Sequence, residues 1–247
     1  MTELRSFPQP LHAAVIGAAG GIGQALVEAL CALPAVVSVT ALARRSIAPV
    51  HAKVIPGTID LLEEPSIAAA ALACSRHPPR LVVIAAGLLH DGKGLQPEKS
   101  LRDLDPGRLA RLIAVNTIGP ALVLKHFAPL LPRTGKSVIA ALSARVGSIS
   151  DNRLGGWYGY RASKAALNQV LRTASIEVSR RWREAAVIGL HPGTVATDLS
   201  EPFQGNVPAD KLFTPAYSAA RLLDVMDGAT AADSGKLLAW DGTEINP

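Results

Sequence analysis

The hydrophobic residues of the chain fall into short runs that alternate with longer segments of helical periodicity. The short runs are rich in Val, Ile, Ala and Leu and are typical of buried strands; they lie at 11–17, 36–42, 53–57, 80–86, 136–142, 185–191 and 236–240. Apolar residues at helical spacing predict helices between them, at 21–33, 63–76, 105–131, 156–182 and 214–227. This alternation predicts an α/β fold, a doubly wound parallel sheet of about seven strands with helices on both faces.

Length and composition indicate a single domain over residues 1–247. Hydrophobic residues make up 49% of the 247 residues and charged residues 18%, which is enough apolar side chain for a continuous core. Aromatic residues make up only 4%, so small and branched aliphatic side chains are expected to fill that core. Such side chains suit a parallel sheet that is covered on both faces.

Charge and cysteine content argue against several classes of protein. The net charge is +5, but the basic residues form no stripe with interleaved aromatics, so a nucleic-acid partner is not expected. Cys31 and Cys74 lie in apolar stretches without a second ligand at metal spacing, which indicates no metal site and a reducing compartment. No apolar signal sequence begins the chain, and no apolar run is expected to span a membrane. We therefore expect a soluble, cytoplasmic protein.

A glycine-rich turn follows the first predicted strand, with the sequence Gly17-Ala-Ala-Gly20-Gly21-Ile22-Gly23. Glycines at such a turn permit a tight bend, a close approach of the backbone to phosphate, and close packing of helix on strand. The first amides of the following helix then face a pyrophosphate. An ordinary glycine-rich loop is the alternative, but the position after the first strand of an alternating chain favours dinucleotide binding.

The residues after the second predicted strand indicate which nicotinamide cofactor is preferred. An NAD-binding protein usually has an acidic residue there for the ribose hydroxyls, whereas this chain has Arg44 and Arg45. Two guanidinium groups can bind a 2′-phosphate. The sequence therefore favours NADP(H) over NAD(H), with a pair of merely exposed arginines as the alternative.

The candidate catalytic pair is Tyr160 and Lys164, which lie one helical turn apart and therefore share a helix face. A tyrosine hydroxyl normally has a pKa near 10. A neighbouring ammonium, together with the positive nicotinamide ring of a bound cofactor, favours the phenolate, so we expect both to lower the pKa of Tyr160 and suit it to acid/base catalysis. Tyr158 has no basic residue four positions later and is interpreted as a pocket wall or a packing residue.

Serine and asparagine residues supply further candidates. Ser143 ends the fifth predicted strand and Ser148 follows shortly after, so either hydroxyl is a candidate donor to a developing oxyanion; a cap or turn role is the alternative. Asn116 lies within an apolar helical segment, where an amide is unfavourable unless it is hydrogen-bonded. A satisfied core amide is the alternative to a functional role.

These motifs, in this order from Gly17 to Thr197, resemble the short-chain dehydrogenase/reductase family, whose fold is of the Rossmann type. The residues near Gly147 and Gly156 resemble a bacterial branch that includes C-factor and the small carbonyl reductases. The resemblance implies that Tyr160 is the acid/base, that Lys164 also binds the nicotinamide ribose, and that Asn116 holds a relay water. The family's catalytic serine corresponds to Ala144 here, so its role would pass to Ser143, which we favour, or to Ser148.

The resemblance also implies further cofactor contacts. It assigns Asp60 and Leu61 to the adenine and Ala86 and Gly87 to a backbone approach, although the family usually has two asparagines just before that Ala-Gly pair. It assigns backbone and hydroxyl contacts with the nicotinamide carboxamide to the turn after the sixth strand, at Pro192, Gly193, Val195 and Thr197. A helix N-cap at Asp60 and a plain Pro-Gly turn are the alternatives.

The function expected from these features is hydride transfer between NADP(H) and a carbonyl/alcohol substrate. Residues 198–214 are rich in proline, glycine and polar residues, and a lid over an apolar substrate pocket is expected there. By family resemblance, the helices at 105–131 and 156–182 are expected to pair in a homodimer or homotetramer. An NADP-binding sensor or signalling protein with little turnover is the alternative, favoured by Ala144 and the missing asparagines.

Overall fold

The computed structural model describes residues 3–45, 47–49, 51–92 and 94–246. The strands are β1 Leu11–Ile16, β2 Val36–Ala43, β3 Val54–Thr58, β4 Leu81–Ile84, β5 Ser137–Leu142, β6 Ala185–His191, β7 Thr194–Val195, β8 Leu212–Phe213, β9 Leu237–Ala239 and β10 Glu244–Ile245. The α-helices are α1 Gly21–Ala32, α2 Glu64–Cys74, α3 Pro106–Ile113, α4 Gly119–Phe127, α5 Tyr158–Ser179 and α6 Pro215–Gly228.

The main sheet has the strand order β3-β2-β1-β4-β5-β6-β9-β10, and all neighbours are parallel except β10, which is antiparallel to β9. The prediction of a doubly wound parallel sheet is confirmed, and all seven predicted strands are present. The hydrophobic pattern did not predict β10 or the small β7–β8 sheet, because strands of two residues carry no periodic signal. The order reverses between β1 and β4, whose carboxyl ends meet where Ile16 pairs with Ile84. Ligands of such sheets bind at this switch point.

Two apolar layers cover the two faces of the sheet. Because side chains alternate along a strand, Ala13 and Val15 of β1 enter one layer while Ala14 and Ile16 enter the other. Helices α1 and α6 close the first layer, and α2, α4 and α5 close the second. The expectation of helices on both faces is thereby confirmed.

The segment predicted as one helix at 105–131 is interrupted. A π-helical turn at Ala114–Ile118 separates α3 from α4, and it contains Asn116. Single π turns within a helix often mark functional positions. The helical periodicity of the apolar residues did not reveal this interruption, because a widened turn adds a single residue to the repeat.

The expectation that no apolar run can span a membrane is wrong on length and composition. Within the 25 residues Pro106–Leu130, an 18-residue window has a mean hydropathy of 1.2, so the stretch is long and apolar enough to cross a membrane by these two measures alone. The same stretch packs against α2 and α5 within the domain, and helices of folded domains also meet these criteria. Length and composition are therefore weak evidence for a membrane span here.

Candidate active site

The glycine turn has the geometry that a dinucleotide requires. Gly17 has φ +86°, and a Cβ atom there would lie 2.8 Å from the backbone nitrogen of Ala86. A Cβ atom on Gly23 would lie 2.1 Å from the carbonyl oxygen of Gly17, so larger residues cannot be accommodated. The turn thus brings α1, β1 and the end of β4 to backbone contact distance. The backbone here fits a bound nicotinamide dinucleotide.

The amino terminus of α1 provides donors for an anion. Its N-cap residue, Gly20, has no side chain that could accept from these amides, and the first turn contains no acidic residue. Gly21 is exposed, Ile22 is half-buried, and Gly23 is buried against β1. The free amides and the positive end of the helix dipole are therefore directed at the position expected for the pyrophosphate.

The two arginines after β2 are both exposed. Arg44 and Arg45 follow Ala43, the last residue of β2, at the carboxyl edge of the sheet beside the glycine turn. Within the described part of the chain, neither side chain is recorded in an ion pair or a hydrogen bond. Their charges are thus available to a phosphate at this edge.

Asp60 and Leu61 follow β3 at the same edge. The carboxylate of Asp60 accepts a hydrogen bond from the Leu62 amide at 3.0 Å, while the N-cap of α2 is Glu63. The alternative role of Asp60 as the cap of that helix is therefore wrong, since it closes a local turn instead. Leu61 is buried against the carboxyl end of the sheet.

Tyr160 and Lys164 lie on the buried face of the first turns of α5, 8% and 3% exposed. Lys164 Nζ donates a 2.8 Å hydrogen bond to the carbonyl oxygen of Leu142, the last residue of β5. The same nitrogen lies 5.7 Å from the centroid of the Tyr160 ring. A Cβ atom on Gly87, after β4, would lie 3.7 Å from Lys164 Nζ. The structure therefore brings this pair to the carboxyl ends of β4 and β5.

Burial governs the protonation of both groups. Burial lowers the pKa of the Lys164 ammonium to about 8 and raises the pKa of the Tyr160 hydroxyl to about 12. Lys164 by itself therefore does not lower the pKa of Tyr160, and the lowering expected from Lys164 together with a nicotinamide ring stays a prediction. The ammonium is directed at the Leu142 carbonyl, so the cost of desolvating a phenolate outweighs its attraction to the charge.

Asn116 connects the π turn to β4 and α5. Its Oδ1 accepts a hydrogen bond from the Leu88 amide at 2.7 Å, and its Nδ2 donates to the Leu88 carbonyl at 2.8 Å and to Ser163 Oγ at 3.0 Å. The side chain is fully buried, with its amide satisfied. It therefore positions the backbone that follows Gly87, and its role in a proton relay stays a prediction.

Both candidate serines make hydrogen bonds through their hydroxyl groups. Ser143 Oγ donates to Asn168 Oδ1 at 2.6 Å, so it is directed at α5. Ser148 Oγ accepts a hydrogen bond from the Asp151 amide at 3.1 Å and closes a turn, as in the alternative of a turn residue. Both serines are buried. Ala144 and Val146, by contrast, pack with Tyr160.

An apolar cluster surrounds Tyr160, and we call it the Tyr160 cluster. Its buried members are Leu89, Leu95, Leu112 and Tyr160, and its half-buried members are Leu88, Ala144, Val146, Trp157, Leu199 and Phe203. Leu199 and Phe203 belong to the segment 198–214, which therefore covers the cluster. Apart from the Tyr160 hydroxyl and the Trp157 indole nitrogen, these side chains offer only carbon to a ligand.

The turn after β6 also reaches the carboxyl edge of the sheet. Gly193, which follows the half-buried Pro192, has φ +80°, and a Cβ atom there would lie 2.6 Å from the Phe213 ring. A Cβ atom on Gly21 would lie 2.6 Å from the methyl carbon of Thr197, so the turn after β6 contacts the glycine turn. Thr197 Oγ1 donates a long 3.5 Å hydrogen bond to the Val195 carbonyl.

Four residues near the site were not singled out from the sequence. They are Trp157, Glu98, Arg161 and Asn168. Two consecutive glycines before Trp157 were a signal for a left-handed turn. Glu98 gave no signal, because it lies 61 positions from Gly159, the residue whose amide it binds. Tyr158, interpreted as a possible pocket wall, is not a member of the Tyr160 cluster, where Trp157 lies instead.

Comparison with known proteins agrees with this arrangement. The family model for short chain dehydrogenases matches residues 11–207. The 1-hydroxy-2-glutathionyl-2-methyl-3-butene dehydrogenase of Rhodococcus sp. (strain AD45) is 39% identical over 140 residues, which cover 57% of this chain and 59% of that protein. C-signal of Myxococcus xanthus is 34% identical over 146 residues, which cover 59% of this chain and 82% of that protein.

A solved structure shares the whole fold. The NADPH-bound carbonyl reductase from chicken fatty liver superposes with a TM-score of 0.84 at 25% identity, covering 99% of this chain and 97% of that one. The matched residues 11–207 include the glycine turn, the ends of β4 and β5, and the Tyr160–Lys164 pair. The chain therefore belongs to the short-chain dehydrogenase/reductase family of NAD(P)-dependent oxidoreductases.

Proposed function

We propose that the protein transfers a hydride between NADP(H) and an apolar carbonyl/alcohol substrate, with Tyr160 as general acid/base. The observation that carries the proposal is the placement of Tyr160 and Lys164 on one buried face of α5. That face adjoins the carboxyl ends of β4 and β5, next to a turn that only glycine can form. When bound there, NADP(H) supplies or accepts the hydride.

The side chains of this chain supply the proton and the environment. In the reducing direction Tyr160 Oη donates its proton to the carbonyl oxygen; with a pKa of about 12 the hydroxyl is protonated at neutral pH. The ammonium of Lys164 lies close enough to stabilise the phenolate that remains. The Tyr160 cluster excludes water and binds apolar substituents of the substrate.

The preference for NADP(H) over NAD(H) is supported by Arg44 and Arg45. Both side chains are exposed at the end of β2, and no acidic residue lies beside them in sequence. Two guanidinium groups favour a 2′-phosphate, whereas the ribose hydroxyls of NAD(H) are usually bound by a carboxylate. The chicken carbonyl reductase is a relative in fold with NADPH bound.

The test is a steady-state assay with NADPH and a panel of aldehydes, ketones and quinones. We expect turnover by the wild type, and a loss of about a thousandfold or more in Tyr160→Phe without a change in the dissociation constant of NADPH. Tyr158→Phe is the matched control, since it removes a hydroxyl two positions away in the same first turn of α5, and its activity should stay within about threefold. Full activity in Tyr160→Phe would refute the assigned role.

A second candidate is an NADP-binding sensor or signalling protein. It is supported by Ala144, which places no hydroxyl in the Tyr160 cluster, and by the similarity to C-signal. This candidate predicts NADPH binding by calorimetry but no turnover of any carbonyl in the panel. Measurable turnover that depends on Tyr160 would exclude it.

The assembly and location of the protein are also proposals. Ile118 of the π turn and Ile176 of α5 are about half exposed, at 50% and 48%, and they lie in the two helical segments that the family resemblance pairs in a homodimer or homotetramer. Light scattering would give the mass of the assembly directly. Cys31 and Cys74 are buried as free thiols, which supports a reducing compartment such as the cytoplasm.

A further inference from the structure

Trp157 adopts a backbone conformation that tryptophan rarely takes. It has φ 55° and ψ 40°, in the left-handed region, and it follows Gly155 at φ 66° and Gly156 at φ 63°. Glycine takes this conformation at no cost, but a residue with a Cβ atom is strained in it. Three consecutive residues of this turn are left-handed, and the third of them is a tryptophan, although a glycine there would be free of strain. Strain of this kind is commonly retained where a side chain has a function.

Glu98, from a separate loop, and Arg161, from α5 itself, hold the turn in place. The Trp157 amide donates to the Glu98 carbonyl at 2.6 Å, and the Gly159 amide donates to the Glu98 carboxylate at 3.1 Å. Glu98 is 2% exposed, so it caps the amino terminus of α5 from a separate loop. The guanidinium of Arg161 donates to the carbonyls of Gly156, Gly155 and Val146 at 3.0, 3.2 and 3.3 Å.

The indole of Trp157 is thereby fixed between Tyr160 and the segment 198–214. Its ring centroid lies 6.2 Å from that of Tyr160 in an edge-on contact, and 4.9 Å from that of Phe203. Phe203 also contacts His90, at 5.8 Å. The indole and Phe203 together close one side of the Tyr160 cluster. The backbone contacts fix the Cα–Cβ bond of Trp157, so the indole can leave this wall only by a change of its side-chain rotamer.

We propose that Trp157 determines substrate specificity by limiting the size of the carbonyl substituent that lies beside Tyr160. The proposal rests on the function proposed above and adds the substrate class: carbonyl compounds with apolar substituents, one of which is small. The cluster offers carbon surface to the larger apolar group, while the indole blocks a second bulky group next to the reacting oxygen. Glu98 and Arg161 act as positioning residues for this wall.

The test compares an aryl methyl ketone with the corresponding aryl isopropyl ketone in Trp157→Gly, Trp157→Phe and the wild type. We expect the wild type to prefer the methyl ketone. Trp157→Gly should raise the ratio of kcat/KM for the isopropyl over the methyl ketone about tenfold or more, chiefly through KM of the bulky substrate. Trp157→Phe should give an intermediate ratio. The dissociation constant of NADPH serves as the check that each variant is folded.

Controls separate this proposal from a structural role. Trp182→Phe changes a core tryptophan whose indole donates to the Leu131 carbonyl, and it should leave the ratio unchanged. Phe203→Ala removes the ring that contacts the indole from the segment 198–214. It should also raise the ratio of kcat/KM for the isopropyl over the methyl ketone, and it replaces Trp157→Gly in the test if that variant does not fold. An equal fall in kcat/KM for both ketones would overturn the proposal alone. No turnover of either ketone by the wild type would overturn the proposed function and this proposal together.

Discussion

Ser143 Oγ donates a 2.6 Å hydrogen bond to Asn168 Oδ1, which ties the end of β5 to α5 one helical turn beyond Lys164. The hydroxyl is buried and engaged in this contact. The next residue, Ala144, packs into the Tyr160 cluster and offers only a methyl group at the position to which the family resemblance assigns the catalytic serine. The geometry therefore favours Tyr160 as the principal donor to the substrate oxygen.

Ala144→Ser is expected to raise kcat for carbonyl reduction about tenfold, because it adds a donor to the oxyanion inside the apolar cluster. Ser143→Ala is expected to change kcat by less than about threefold and to lower the free energy of unfolding by about 1 kcal/mol through the lost contact with Asn168. Steady-state kinetics and urea unfolding measure the two effects. A fall in kcat of about a hundredfold in Ser143→Ala would instead identify Ser143 as the oxyanion donor.

Lys164→Met is expected to abolish turnover while stabilising the fold at neutral pH. Burial lowers the pKa of Lys164 to about 8, so the native state is destabilised by about 3 kcal/mol while the amine is charged in both states. Loss of the hydrogen bond to Leu142 offsets about 1 kcal/mol of the gain. We expect a net increase of about 2 kcal/mol at pH 7, measured by urea unfolding.

The pH dependence of that difference provides the check. Between the native pKa of about 8 and the ordinary lysine value of 10.5, the unfolded state binds more protons than the native state. Wild-type stability relative to Lys164→Met must therefore rise with pH across this window. A difference that is constant from pH 7 to pH 10 would show that the buried charge is not its source.

Arg44→Glu is expected to raise KM for NADPH about a hundredfold and to change KM for NADH by less than about threefold. The carboxylate repels a 2′-phosphate and removes a charge-assisted hydrogen bond, but it tolerates ribose hydroxyls. Arg181→Ala is the matched control, since this exposed arginine lies beyond the carboxyl end of α5, at the opposite edge of the sheet. Equal effects on both cofactors would contradict the assignment of Arg44 to the phosphate.

Trp157→Gly is expected to be more stable than Trp157→Ala by about 1 kcal/mol, since both variants lose the indole but only alanine retains the left-handed strain. For a chain of this length the difference corresponds to about 2–4 °C in Tm. At Ala162, an exposed position of α5, the glycine variant should instead have a lower Tm than the protein with alanine, because glycine destabilises a helix interior. Equal melting temperatures of the two Trp157 variants would contradict strain at this position.

Local chemistry along the chain was enough to predict the fold and the central pair of the site. The alternation of apolar runs determined the parallel sheet. The turn after the first strand, at Gly17–Gly23, required glycine because a Cβ atom on Gly17 or Gly23 would clash with neighbouring backbone. Spacing alone placed Tyr160 and Lys164 on one helix face, because the helical repeat is a property of the backbone.

The tertiary structure decided what the rest of the site does. It directed Ser143 towards Asn168, raised the pKa of Tyr160 instead of lowering it, and brought Glu98 to the amino terminus of α5. None of these follows from spacing, since each depends on contacts between residues far apart in the chain and on burial that only the packed fold creates. Hydrogen-bond partners and desolvation are properties of the assembled domain, so the sequence determined which groups reach the site and the fold determined their chemistry.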